Sequence, residues 1–268
     1  MRIIRFLDPD GRHHVGRLVE PGRAAVMRGE LFGPHTFDGP AVRIERLLAP
    51  VDPPNVVAIG LNYRRHAEEQ GLRSLPAEPL IFLKATTAVC GPGEAIVLPR
   101  SAPNEVDFEA EIAVVISRRA RNVSETAALD FVLGYTCAND VSARDCQKVR
   151  DKQWARGKSF DTFCPIGPLI VTPDELDGQR CRIRSLLNQR VMQDSSTSDM
   201  IFSIRQLVSF VSHQFTLLPG TLLLTGTPEG VGFARQPPVY LRPGDTIAIE
   251  IEGIGRLENP VTADAPSI

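Results

Sequence analysis

The chain has 268 residues, 43% of them hydrophobic and 23% charged, with a formal net charge of −2. That length can bury a substantial core in one large or two modest domains, and the near-neutral balance gives no broad electrostatic footprint for nucleic acid or an acidic membrane surface. No apolar run approaches the ~20 residues of a membrane helix, and the opening MRIIRFLDPDGRHH turns polar too early for a signal peptide.

Residues 1 to about 50 carry short strand-like pieces (2–7, 15–19 and 24–27) separated by Asp-Pro-Asp-Gly and similar turn signals. They predict a small N-terminal β appendage that ends in the proline-crowded segment 49–55, leaving 51–268 as the main domain. From there the chain reads mostly as strand: VVAIGL, PLIFLK, AIVLP, NEVDFEAEIAVVI, FVLGYTCAND, GPLIVT, TLLLTGT and TIAIEIEG. Pro-Gly pairs at 92–93, 219–220 and 243–244 predict type II turns entering three of these strands. Two helices are expected. One follows Asn62 as its cap and ends before Gly71; the other runs from Ile204 to about Phe215, with Ile204, Leu207, Val208, Val211 and Phe215 on one stripe. The fold class is β-dominated α+β.

Five cysteines, an odd number with no C-x-x-C spacing, argue against a disulfide framework or a thiolate zinc site. They read as small core residues of a protein in a reducing cytoplasm.

In NEVDFEAEIAVVI, read as one strand over 104–116, Asp107, Glu109 and Glu111 project from one face, which then turns apolar at Ala113 and Val115. The opposite face carries Phe108, Ala110, Ile112, Val114 and Ile116, so both faces look covered. Carboxylates crowded at a covered site repel and desolvate badly unless a cation neutralises them, and hard oxygen donors suit Mg²⁺, Mn²⁺ or Ca²⁺. The competing reading is a solvated rim. TIAIEIEG supplies that pattern, with Glu250 and Glu252 on a polar face opposite Ile247, Ile249 and Ile251.

Other candidates have plain structural alternatives. Asp140, after a strand-like run, is otherwise a turn or cap residue. His66 and Glu69, three apart on a helix, can touch as a base dyad, or can be a chance surface pair. Lys158 can stabilise an oxyanion, or sit on the surface. TGTPEGVG lacks a phosphate-loop pattern and reads as a wide turn, lined if at all by the Thr227 hydroxyl or backbone N–H groups. His13, His14, His35 and His213 have no recognisable partners in the sequence.

The order GLNYRRHAEE, PLIFLK, VDFEAEIAVVI, GYTCANDVSARDCQ, GKSFDTFCPIGP, SDMIF, LLLTGTPEGVG resembles the fumarylacetoacetate hydrolase family from about residue 54 onward. The resemblance implies a mixed β-roll or sandwich-like catalytic domain, commonly a homodimer, that uses Mg²⁺ or Mn²⁺. It places Glu109, Glu111 and Asp140 on the metal, with Asp107 behind them. It makes His66 and Glu69 a water-activating dyad, Lys158 a charge-neutralising lysine, and Arg144, Gln147 and Thr227 pocket-lining residues.

Substrates of the family are small 2-oxo acids or 1,3-diketones, so the resemblance implies a C–C hydrolase of a 2,4-dioxo acid acting through a metal-stabilised enolate. The alternatives are a decarboxylase or isomerase of 2-oxo or 2-hydroxydienoate dioic acids, and a non-catalytic ligand-binding homologue. One position departs from the pattern. Some acylpyruvate-cleaving members carry a basic residue where Leu61 stands, which leaves Arg64 or Arg65 to substitute for it.

Overall fold

The computed structural model describes residues 1–264, and strands dominate it. Its organising element is a 12-stranded sheet in which Ala110–Ile116 lies between Val132–Asn139 and Leu222–Leu224, antiparallel to both. Val56–Gly60 runs parallel to Leu222–Leu224, and Leu80–Lys84 closes that side as an edge strand. On the other side Cys164–Val171 pairs with Val132–Asn139 and then with Arg2–Leu7. Through Arg2–Leu7, the antiparallel strands His13–Glu20 and Arg23–Val26 continue the same sheet. A second, 5-stranded sheet includes Arg182–Leu187, Arg190–Ser196 and Thr246–Ile251.

The central strand is covered on both faces, as its sequence predicts. Ile112, Val114 and Ile116 pack in one core with Val57, Ile59 and Leu223, and with Ile183, Ile249 and Leu257 of the second sheet. Ala113 and Val115 pack in the other core with Val56, Ala58, Leu222 and Leu224. A strand that alternates between two cores has no solvated side, so its polar positions need partners inside the protein.

The expected single strand over 104–116 is broken. It divides into Val106–Asp107 and Ala110–Ile116, and the turn between them is held by side chains in place of a β-ladder. Phe108 N–H donates to Asp107 Oδ1 (2.8 Å), Glu109 N–H to Asn139 Oδ1 (3.0 Å), and Ala110 N–H to Gln193 Oε1 (2.9 Å). Asn139 and Gln193 lie far away in sequence, so residue spacing could not reveal the break.

Gly93, Gly220 and Gly244 take φ values of +76°, +83° and +93° in their Pro-Gly turns, and each turn feeds a strand. The later helix spans Ile204–Gln214 and opens with a reciprocal Ser203–Gln206 capping box. The earlier one, Arg64–Glu69, does not use Asn62 as its cap. Tyr63 occupies that position without a side-chain bond, and Asp199 Oδ2 accepts Arg65 N–H from across the fold (3.1 Å). The Asn62 amide instead ties Phe202 to Thr225.

Glu250 is not in the water either. Arg184 and Arg256 both bind its half-buried carboxylate, while Glu252 is exposed. All five cysteines are free and buried. Among the described residues no helix is long and apolar enough to cross a membrane.

Candidate functional site

Strand register creates the acidic cluster. Ala110 lies opposite Asn139, which brings Asp140 beside Glu109, and Asp140 N–H donates to the Glu109 carbonyl (2.9 Å). Carboxylate oxygens of Glu109, Glu111 and Asp140 then lie within 4.8 Å of one another, and all three residues are buried. The solvated-rim and turn-cap readings fail on that burial.

Three buried cations serve these acids. Lys158 Nζ donates to Glu109 Oε2 (2.8 Å) and Asp140 Oδ2 (2.6 Å). Lys84 Nζ takes the other Asp140 oxygen (2.5 Å) and the Val141 carbonyl (3.2 Å). Arg144 bridges Glu109 Oε1 (2.6 Å) and Asp107 Oδ2 (2.8 Å).

Lys158 is therefore no surface lysine. It ends a short helical turn, Ala155–Lys158, packed on the π-helical segment Asp145–Arg150. Gly157 permits that contact, because a Cβ there would stand 2.9 Å from both the Ala143 carbonyl and Gln147 N.

Glu111 differs from its neighbours. Its Oε2 accepts Gly226 N–H (2.7 Å), but its Oε1 is buried without any hydrogen-bond partner. Burial and the Asp140 and Glu109 charges push this carboxyl well above the usual range. Burial also works to raise Glu109, but Lys158 and Arg144 outweigh it and hold that carboxyl low. Burial works against the charge of Lys158, and Asp140 and Glu109 outweigh it upward. An oxygen left unpaired among three convergent carboxylates is what a hard divalent cation would satisfy, so the donor set fits Mg²⁺ or Mn²⁺.

The segment after Leu222–Leu224 is more than a wide turn. Its backbone holds three carboxylates: Gly226 N–H serves Glu111, Gly230 N–H serves Glu69 Oε1 (2.8 Å), and Gly232 N–H serves Asp107 Oδ1 (2.8 Å). His66 Nδ1 lies 2.8 Å from Glu69 Oε2. With the carboxylate as acceptor, Nδ1 carries the proton and Nε2 is left as the basic nitrogen. Asp107 stands behind Arg144 and receives both its Nε (2.9 Å) and Nη2 (2.8 Å).

A cavity of about 100 Å³ collects these groups. His66, Glu109, Glu111, Arg144, Gln147, Lys148, Lys158 and Thr227 line it, with apolar walls from Leu61, Phe82, Trp154 and Phe233. Gln147 Oε1 accepts from Arg144 Nη1 (2.8 Å), so its amide N–H groups are what it offers the cavity. Asp140 is reached through Lys158 and is absent from the lining. Arg64 and Arg65 do not replace the missing basic residue at Leu61. Arg64 binds the Asp199 and Met200 carbonyls, Arg65 pairs with Glu229, and neither lines the cavity.

Sequence reasoning missed two buried residues of this region. Lys84 was visible only as the polar end of an apolar strand. Gln193 lies in a strand whose sequence, RVMQDSS, looks solvated on both faces.

Residues 55–262 match the family model described as fumarylacetoacetate (FAA) hydrolase C-terminal. The chain is 48% identical to "Oxaloacetate tautomerase FAHD2A, mitochondrial" of Bos taurus over 80% of this chain and 68% of that protein. The solved 2-hydroxyhepta-2,4-diene-1,7-dioate isomerase of Mycobacterium marinum superposes with a TM-score of 0.84 at 43% identity, covering 99% of this chain and 100% of that one. The 5-carboxymethyl-2-hydroxymuconate delta-isomerase of Mycobacterium smegmatis does so with a TM-score of 0.85 at 42% identity, covering 98% and 100%. The ordered motifs, the strand-built acidic cluster and these likenesses agree, and the chain belongs to the fumarylacetoacetate hydrolase family.

Proposed function

We propose that the protein is a divalent-cation-dependent enzyme that moves a proton between carbon and oxygen in a small 2-oxo dicarboxylic acid, a keto–enol tautomerisation. The observation that carries this reading is that His66, bonded to Glu69 behind it, lines the same cavity as Glu109, Glu111 and Lys158. Its chemistry is that of a base whose tautomer is fixed by a carboxylate. A cation held by Glu109, Glu111 and Asp140 would supply a Lewis acid for negative charge on a substrate oxygen.

The chain's own groups account for the remaining steps. His66 Nε2 takes the proton from the carbon beside the 2-oxo group while Glu69 accepts the Nδ1–H bond. The C–H electron pair becomes the C=C bond, the C=O π pair passes to oxygen, and that oxygen takes the proton back from His66 Nε2, which restores the base. Arg144, Lys148 and Lys158 place cationic groups in the lining beside Glu109 and Glu111, which with a bound divalent cation suits a carboxylate-bearing ligand, and a cavity of about 100 Å³ favours a compact one. The relative named as an oxaloacetate tautomerase and the two neighbours named as isomerases favour the same class of proton transfer.

Cleavage of a 2,4-dioxo acid by water is the second reading, because the same dyad can activate a water molecule. An assay separates the two. Protein with Mg²⁺ should accelerate the decay of the enol absorbance of oxaloacetate without releasing new acids, and His66→Ala should slow it about 100-fold or more. Conversion of an acylpyruvate into two acids would favour hydrolysis, and oxaloacetate turnover unaffected by His66→Ala would sink the dyad assignment.

A further inference from the structure

Gln193 is buried, yet it belongs to the second sheet and lies outside every motif that marks the site. Its strand, Arg190–Ser196, carries a β-bulge. Ser185 pairs with Gln193, whereas Leu186 already pairs with Val191, so Met192 is the extra residue. Arg235 Nη2 donates to the Met192 carbonyl and anchors the irregularity. A bulge re-aims the neighbouring side chain, and here Gln193 points inward to the cavity wall.

Its amide makes three bonds. Oε1 accepts Ala110 N–H (2.9 Å), and Nε2 donates to Thr227 Oγ1 (2.8 Å) and the Pro228 carbonyl (2.8 Å). Two of these partners have fixed polarity: a backbone N–H only donates and a backbone carbonyl only accepts. The amide therefore cannot be flipped. Thr227 Oγ1 must accept from Nε2, which leaves the hydroxyl proton free to point elsewhere. Thr227 lines the cavity and is 4% exposed.

We infer that Gln193 is a positioning residue that fixes the Thr227 hydroxyl as a hydrogen-bond donor into the cavity, selecting ligands that present an oxygen acceptor there. The inference rests on the proposed function insofar as it assumes that anionic oxygens of a 2-oxo acid occupy this cavity. It assigns discrimination to a residue that touches no ligand. A carboxylate or enolate oxygen accepts this bond, and an N–H or O–H presented at the same point meets a donor.

Oxalate, a planar dianion with acceptors only, is the probe, with binding to the Mg²⁺-loaded protein read by titration calorimetry. Gln193→Glu keeps the Ala110 bond but turns an oxygen toward Thr227, drawing its hydroxyl out of the cavity. Gln193→Met, uncharged and of similar length, leaves the hydroxyl free to donate to the Pro228 carbonyl, and serves if the first variant does not fold. Each should weaken oxalate about tenfold or more, the scale of a lost bond to a charged acceptor. In a Thr227→Val background the same Gln193 change should cost little further, because its effect runs through the missing hydroxyl.

Oxalate binding unchanged in a folded Gln193 variant, or an equal further loss in the Thr227→Val background, would overturn the assignment while leaving the proposed function standing. A wild type that binds no oxalate in the presence of Mg²⁺ would overturn both.

Discussion

Lys84 Nζ and Asp140 Oδ1 lie 2.5 Å apart with both side chains fully buried, while Lys158 holds the second oxygen of the same carboxylate. One acid thus carries two lysines, and only Lys158 reaches the cavity lining. Lys84 neutralises Asp140 from behind. Removing one partner of a buried pair strands the other, so Lys84→Met should destabilise the protein by about 3 kcal/mol. Urea unfolding of the metal-free protein checks this, and an unchanged midpoint would show that Lys158 alone suffices for Asp140.

In the proposed reaction Glu69, which does not line the cavity, acts on the ligand only through His66. In Glu69→Gln, an amide whose oxygen keeps Gly230 N–H turns its NH₂ toward Nδ1 and forces the proton onto Nε2, which removes the base. The expected result is a fall in kcat of about 100-fold or more with KM little changed. A fall in KM-governed rate alone would mean that Glu69 shapes binding and not the histidine.

Gly232 shows why the loop after Leu222–Leu224 tolerates no side chain at one point. A Cβ there would lie 1.9 Å from the Val239 carbonyl and 2.4 Å from Asp107 Oδ1. Gly232→Ala should displace Asp107 from its Gly232 and Phe233 N–H donors and loosen Arg144, costing about 2 kcal/mol or more. Thermal unfolding would reveal it, and a wild-type Tm would mean that the loop moves freely at this point.

The sequence pattern reached the groups whose chemistry lies in local spacing and stopped where distant chain segments decide. The alternation of Glu109 and Glu111, and the three-residue step from His66 to Glu69, are local and survive folding. The break at Phe108–Glu109 is not local, because Asn139 and Gln193 supply the acceptors that replace the ladder. Lys84 and Gln193 were hidden for a related reason: each sits in an ordinary strand, and only register, or a bulge, turns it inward. His14 was likewise read as unpartnered, yet it binds Asp8 across a hairpin (2.8 Å).

That Asp8 contact gives a pH dependence. Hydrogen bonds from His14 and then from Arg12 N–H hold the Asp8 carboxyl below its ordinary value of 3.8. A carboxyl lowered on folding contributes stability above its unfolded value, and that contribution is lost as pH falls through the folded value. Asp8→Asn should therefore lower Tm at pH 7, and the gap to wild type should close as pH drops below 3.8. A gap that stays constant down to the acid limit would assign the effect to hydrogen-bond geometry alone.

Glu111 should trade stability against ligand binding. Its Oε1 is buried without a partner, and its charge faces Asp140 and Glu109. Glu111→Gln retains an oxygen for Gly226 N–H and removes the repelling charge, so the metal-free variant should gain about 1 kcal/mol or more over wild type in urea unfolding. The same change removes an anionic donor from the cluster, so Mg²⁺ binding by calorimetry should weaken at least tenfold. The two readouts must move in opposite directions if the carboxylate is kept for a cation. A variant that is less stable yet binds Mg²⁺ as before would mean that Glu111 serves the packing of the strand, and that the unpaired oxygen has no part in holding a metal.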